Sequence, residues 1–193
     1  MLKRVLVLFS LLSSLSFSQN EFKVSINNEM LELKSDIFLN YYYELDDSSR
    51  YYLGGSYIKN KEDDSTNHIW DIDFKIMNES TSLEGFSVGI GANAINIRND
   101  YSNSFLAIPF SIHFSYDIAS KISLDANIKY SAKVLSFSDA KNMNSYEINA
   151  NYEIINNGLI YLGTRTINAK YDKNSIENKL KISDVYAGFK FFF

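Results

Sequence analysis

The sequence contains no cysteine. That excludes disulfide staples and a lipid-modified cysteine behind a signal sequence. Proline occurs once, at Pro109, and glycine only eight times. No Pro- or Gly-rich linker therefore divides the chain, and its 193 residues fit one domain. Beyond the N-terminus, no apolar run approaches the length of a membrane helix. Positive charge is not in excess: the net charge is −4, which argues against a nucleic-acid partner. Aromatic residues, by contrast, are abundant at 15%, with 14 Tyr and 14 Phe. They suit strands, and they suit barrels that carry aromatic girdles at a membrane surface.

The N-terminus reads as a secretory signal peptide. Lys3 and Arg4 form a short basic region, an apolar run follows from Val5 to about Leu12, and Ser16 and Ser18 are small residues before a cut at Gln19. The apolar core is too short and too rich in serine to be a comfortable membrane anchor. The expected organisation is a signal peptide over 1–18 and a mature domain over 19–193.

Periodicity sets the fold class. In "KISLDANIKYSAKV", Ile122, Leu124, Ala126, Ile128, Tyr130, Ala132 and Val134 share one face. Lysines, Ser, Asp125 and Asn127 share the other, so the period is two rather than 3.6. "SYEINANYEII", "SFLAIPFSIHFSYDI" and "HIWDIDFKIM" repeat the plan. Such runs exceed the ~5–6 residues of an ordinary strand and match the ~9–11 of a strand crossing a membrane at a tilt. Alternation alone does not say which face is inside. A soluble lipocalin-like barrel buries its apolar face, whereas a membrane barrel turns that face to lipid.

The terminus "VYAGFKFFF" decides between them. Val185, Ala187, Phe189, Phe191 and Phe193 lie on one face, and Asp184, Tyr186, Gly188, Lys190 and Phe192 on the other. A last strand with alternate apolar residues and a terminal Phe resembles the signal read by the outer-membrane assembly machinery. Phe189, Phe191 and Phe193 are the residues expected to carry it. Strands are expected near 21–27, 30–45, 50–60, 67–77, 84–97, 105–117, 120–134, 144–155, 158–171 and 179–193. Tight joins such as "DDSS", "ESTS", "IAS" and "NNG" alternate with longer polar ones: "KNKEDDST", "RNDYSN", "SFSDAKNMN" and "DKNSIEN". This predicts an all-β, antiparallel transmembrane barrel of about ten strands, with eight as the alternative, and both termini in the periplasm.

The stretch Tyr130 to Arg165, "YSAKVLSFSDAKNMNSYEINANYEIINNGLIYLGTR", resembles the YfaZ family of bacterial outer-membrane proteins, departing from its pattern at Ala132 and Thr164. The resemblance implies an outer-membrane barrel and supplies no catalytic residues or cofactor.

No strong catalytic motif stands out. His113 shares the inward face with Ser111 and Ser115, which invites a hydrolase reading, but no orienting acid accompanies it. A rim protease would have to use Asp63, Asp64 and Asp139 with His68; loop acids are more often solvated surface. Glu62, Asp63 and Asp64 could hold a divalent cation or bridge through one to lipopolysaccharide. The alternate glycines of "GFSVGIGAN" pack a barrel wall, since no helix follows them to make a phosphate loop.

The lumen is expected to carry both signs of charge. Lys34, Asp71, Asp73 and Lys75 come from the first half, Lys121, Asp125, Lys129 and Lys133 from one long strand, Glu147 and Glu153 from its neighbour, and Arg165 and Lys190 from the last two. Mixed charges can pair and fill a narrow lumen, and Lys121, Lys129 and Lys133 are expected to meet Glu147 and Glu153 across the adjacent strands. The expected function is therefore a small barrel with a structural or narrow, gated permeation role, not an enzyme and without a cofactor. A surface-binding barrel using its external loops and a soluble periplasmic binding barrel are the alternatives. The expected partners are the bilayer, lipopolysaccharide and the assembly machinery.

Overall fold

A computed structural model describes residues 19–43, 45, 48–62, 65–99, 104–173 and 176–193. The segment 1–18, Asp63 and Asp64 lie outside the described residues. The alternating segments form strands β1 (Glu21–Ile26), β2 (Met30–Phe38), β3 (Arg50–Glu62), β4 (Ser65–Glu79), β5 (Phe86–Asn99), β6 (Ser104–Ala107), β7 (Phe110–Ala119), β8 (Ile122–Ser131), β9 (Ser136–Ser138), β10 (Ala140–Ile155), β11 (Gly158–Lys173) and β12 (Ile176–Phe192). A short helix, α1 (Asn40–Tyr43), and a 3-10 turn, Lys133–Leu135, interrupt them.

Successive strands pair antiparallel, and β12 pairs back onto β1 from Glu21↔Phe192 to Ile26↔Ala187, closing a barrel of ten strand positions. The backbone N–H of Asn20 donates to the carbonyl of Phe193 at 3.2 Å, and that of Phe193 to the carbonyl of Asn20 at 3.1 Å, which fastens the seam at the chain ends. Both termini thus lie at one end of the barrel, here the terminal end; the turn between β1 and β2 lies at the other, the far end.

Strands β6 and β7 occupy one position, because both pair with β5. Pro109 separates them. Its carbonyl accepts from the Asn93 N–H of β5 at 2.9 Å, but it has no N–H to return, so the ladder on β5 breaks between Ala107 and Phe110. Beyond it β8 ends at Ser131, the 3-10 turn follows, and β6 pairs with β9 instead. The expected strand over 120–134 is therefore shorter than its alternation suggested.

Two further expectations change. The strand foreseen to residue 45 ends at Phe38. Asn40 holds the bend by accepting from the Tyr51 N–H at 2.8 Å and donating to the Ser49 carbonyl at 2.6 Å. Much of the polar runs foreseen as long loops is strand: β3, β4, β11 and β12 run into "KNKEDDST" and "DKNSIEN". At the far end the outward residues become polar while the inward ones stay apolar, as in Lys179, Leu180, Lys181 and Ile182 of β12.

The facing of the wall is inverted relative to a soluble protein. Leu162, Ile90, Ile72 and Val185 stand on the outside, 66%, 65%, 62% and 74% exposed. Asp36, Asp73, Glu32 and Arg165 are buried inside. An apolar exterior around a charged interior is stable in lipid and unstable in water. Phe189, Phe191 and Phe193 belong to the exterior, where their rings form one ladder with centroids 6.5 and 6.3 Å apart.

Candidate functional site

The lumen has three zones along the barrel axis. At the terminal end is a cavity of about 1030 Å³. Its wall on β5, β7, β8 and β10 carries small or neutral groups such as Ser87, Ser115, Ser123, Asn127 and Asn151 beside the carboxylates of Asp125, Glu147 and Glu153. The opposite side is filled by Tyr52, Tyr161 and Tyr186 together with long cationic side chains. The cavity exists where the residues are small.

The middle zone is a layer of buried ions. In one cluster, Arg165 Nη2 donates to Glu32 Oε1 at 2.7 Å and to Glu147 Oε2 at 2.9 Å. Lys23 Nζ donates to Glu147 Oε1 at 2.6 Å, and the hydroxyl of Tyr186 donates to the same oxygen at 3.0 Å. In the second, Lys75 pairs with Asp36, while Lys34 Nζ lies 3.5 Å from Asp36 and 3.7 Å from Asp73. In the third, Lys129 reaches across the lumen to Asp71, which also accepts from Asn93 Nδ2 at 3.0 Å. Lys190 bridges Asp125 at 3.1 Å and Glu21 at 3.5 Å nearer the mouth. The first three clusters each balance cations against carboxylates, as burial of charge demands. Gly54 lies between Asp36 and Asp73 in the register of β2, β3 and β4. A Cβ there would meet Asp36 Oδ1, and Asp73 Oδ1 at 2.5 Å, so glycine is what lets the two carboxylates sit side by side.

The far zone is mainly apolar, with Asn60 and Asn67 also buried there. Met30, Ile58, Ile69, Ile95, Ile97, Phe105, Met143, Ile167 and Ile182 point inward and form one buried cluster. The interior is thus open-mouthed and polar at the terminal end and plugged by hydrocarbon at the far end.

Asp71, Asp73, Lys75, Asp125, Lys129, Glu147, Arg165 and Lys190 take part in the inward ion pairs just described. Lys121 sits in the turn before β8 and Glu153 on β10, both at the cavity mouth. Lys133 is a correction: it lies in the 3-10 turn, exposed and away from the lumen, because β8 ends before it. The expected pairing of the β8 lysines with the β10 glutamates is also corrected. Glu147 stands opposite Asn127 on one side and Arg165 on the other, so it joins Arg165, and Lys129 turns to Asp71. The sequence reading missed Lys23, Glu32 and Asp36. Their signal was present, since "EFKVSI" and "MLELKSD" put Glu21, Lys23 and Ser25, and Glu32, Lys34 and Asp36, on single faces.

His113 Nε2 lies 3.0 Å from Ser111 Oγ. His113 lines the cavity, while Ser111 is buried against Gly91, where a Cβ would meet its Oγ at 2.6 Å. His68 lies outside the barrel, its Nδ1 2.8 Å from the Tyr57 hydroxyl. The Asp63 and Asp64 of the protease and cation readings fall outside the described residues, and nothing is described of the Glu62 side chain.

The family described as YfaZ precursor matches residues 2–193. The chain belongs to the YfaZ family. The precursor in that description fits export behind a signal peptide, and with the lipid-facing exterior it identifies an outer-membrane protein. No curated protein matches the sequence. Among solved structures, the NanC porin superposes with a TM-score of 0.51 at 10% identity, over 90% of this chain and 99% of that one. The outer membrane protease OmpT from Escherichia coli gives 0.50 at 13% identity, over 90% and 93%. OmpT of Vibrio cholerae gives 0.44 at 13%, over 85% of this chain, which spans 56% of that protein's length. At these identities the YfaZ chain shares a fold with the first two proteins.

Proposed function

We propose that this YfaZ protein is a closed outer-membrane barrel, with a structural role or a narrow path that opens rarely, and that its cavity faces the periplasm. The observation that carries the reading is the apolar plug: Ile95, Ile97, Phe105 and Met143 fill the far half of the lumen at 1–3% exposure. Hydrated ions do not cross a dry hydrocarbon constriction readily, and hydrophobic constrictions gate by dewetting. Below the plug, the ion clusters cancel the field that would draw ions in. The periplasmic placement of the termini follows the usual plan of such barrels, with chain ends and short turns on that side. Catalysis does not enter this reading, because a substrate in the cavity would meet His113 but not the buried Ser111.

In a planar bilayer the purified protein is expected to show no channel or only small, infrequent openings. Phe105→Ala with Met143→Ala should raise open probability, and Glu153→Ala at the mouth should not. A large, steady conductance in the unmodified protein would overturn the closed-barrel reading.

The terminal ladder is proposed to be the segment that the assembly machinery reads. Deleting Phe193 removes an exterior ring and the two seam hydrogen bonds to Asn20 at the very end of the ladder, a small loss for a finished barrel. Its expected effect is a large drop in the yield of folded protein in isolated membranes, scored by heat-modifiable gel migration. The unfolding midpoint of the fraction that does fold should move little. Normal yield with a lowered midpoint would make Phe193 a structural residue only.

A further inference from the structure

The wall of the barrel is not equally tall all round. Strand β1 ends at Ile26 and β2 begins at Met30, while β12 continues far beyond them to Ile176 and β3 continues past the Met30↔Asn60 pair to Glu62. The turn is tight because Asn27 Oδ1 accepts from the N–H groups of Glu29 at 2.8 Å and Met30 at 2.6 Å. Above this short hairpin the wall has a notch. Its inner side is closed by Asn60 of β3, whose Nδ2 donates to both oxygens of Asp184 on β12 at 3.2 Å. Asn27 Nδ2 donates to the Val185 carbonyl at 3.1 Å, which ties the hairpin to the same edge.

The outer side of the notch has a definite chemistry. Lys59 and Lys61 project from β3 on one bank, and Lys179 and Lys181 from β12 on the other, each alternating with inward residues. None of the four makes a salt bridge among the described residues. Lys179 also stands directly opposite Lys170 in the β11–β12 register, an unfavourable placement of like charges. Among the described residues, the turn between β1 and β2 carries one acid, Glu29. Beside Lys59, which stands opposite Leu31, Ile26 and Leu31 pair across the hairpin, 56% and 40% exposed, and continue into the lipid-facing belt.

We propose that this notch docks one phosphorylated lipid of the surrounding leaflet, its acyl chains on Ile26 and Leu31 and its phosphate between the two lysine banks. Two features favour a lipid over a soluble anion: the cations stand at the edge of the apolar belt, and the floor of the notch is continuous with that belt. Ammonium groups at this height meet phosphates at the headgroup level, where each basic residue strengthens attachment to an anionic membrane. The proposal rests on the lipid-facing exterior and not on the closed-lumen reading, so a conducting barrel would leave it standing.

The test uses the mature barrel, folded in octyl glucoside and titrated with bis-phosphorylated lipid A or with the same lipid after dephosphorylation. Bound lipid is counted by native mass spectrometry, and folding is checked by heat-modifiable migration. One phosphorylated lipid should be retained. Replacing all four lysines with alanine should weaken that binding at least ~tenfold, and replacing them with arginine should preserve it. Should the fourfold alanine variant fail to fold, Lys179→Gln with Lys181→Gln provides the comparison from one bank. Equal retention by the unmodified and neutralised proteins would mean that the lysines only guard the bare edge of β12 against strand pairing, and would overturn the proposal. So would equal retention of the dephosphorylated lipid, or full displacement by inorganic phosphate at the lipid's own concentration.

Discussion

Ile128→Arg is expected to prevent the barrel from assembling, while Asn127→Arg, one residue away, leaves assembly close to normal. Both positions lie on β8, and the pleat turns them to opposite sides of the wall. Ile128 stands outside in the lipid belt, 40% exposed, opposite Tyr146 on one side and Ile112 on the other. A guanidinium there must enter hydrocarbon, at about 2–4 kcal/mol near the membrane midplane. Asn127 faces the cavity, where water and the carboxylate-bearing wall receive a cation. The measurement is the heat-modifiable fraction in isolated membranes, with the purified variants refolded into vesicles as a second readout. A reversed order of the two effects would mean that the apolar face is not the lipid face.

Arg165→Met is expected to destabilise the folded barrel by about 3–5 kcal/mol, the usual cost of leaving a buried charge without its partner. Arg165 is 4% exposed and lies between two carboxylates. Glu147 would keep Lys23 and the Tyr186 hydroxyl. Glu32 would keep only Ser25 and a longer approach to Lys23 at 3.7 Å. The orphaned charge is therefore that of Glu32. Arg165→Met combined with Glu32→Gln should recover much of the loss, because it removes that charge as well. Urea unfolding in lipid vesicles, followed by tryptophan emission from Trp70, gives the comparison. A single Arg165→Met within ~0.5 kcal/mol of the unmodified protein would show that the cluster carries little net stability.

The interior was half legible in the sequence. Period-two patterning gave the face of Asp71, Asp73 and Lys75, and of Asp125 and Lys129, since a strand offers only two sides. The partners were not legible. Lys129 was expected to meet Glu147 on the adjacent strand, yet it crosses to Asp71. Lys133 has the same alternation as Lys129 but leaves the lumen because β8 ends at Ser131 and a 3-10 turn follows. The apolar plug was missed for a related reason: Ile69, in the expected strand 67–77, and Ile182, in the expected strand 179–193, come from strands far apart in sequence and share a cluster only once the ring closes.

The sequence by itself determined that this is a barrel of antiparallel strands, which residues face out, and that the outer face belongs in lipid. These are local properties, fixed by the pleat and by the cost of placing charge in hydrocarbon or apolar surface in water. Only the tertiary structure decided which charges neutralise one another, where the lumen is open and where it is plugged, and how tall the wall stands at each strand. Those depend on closure of the ring and on the stagger of the strands. Closure brings Lys23 to Glu147 at 2.6 Å and Arg165 to Glu32 at 2.7 Å, although each pair comes from opposite ends of the chain. A two-residue period carries no information about such distant neighbours.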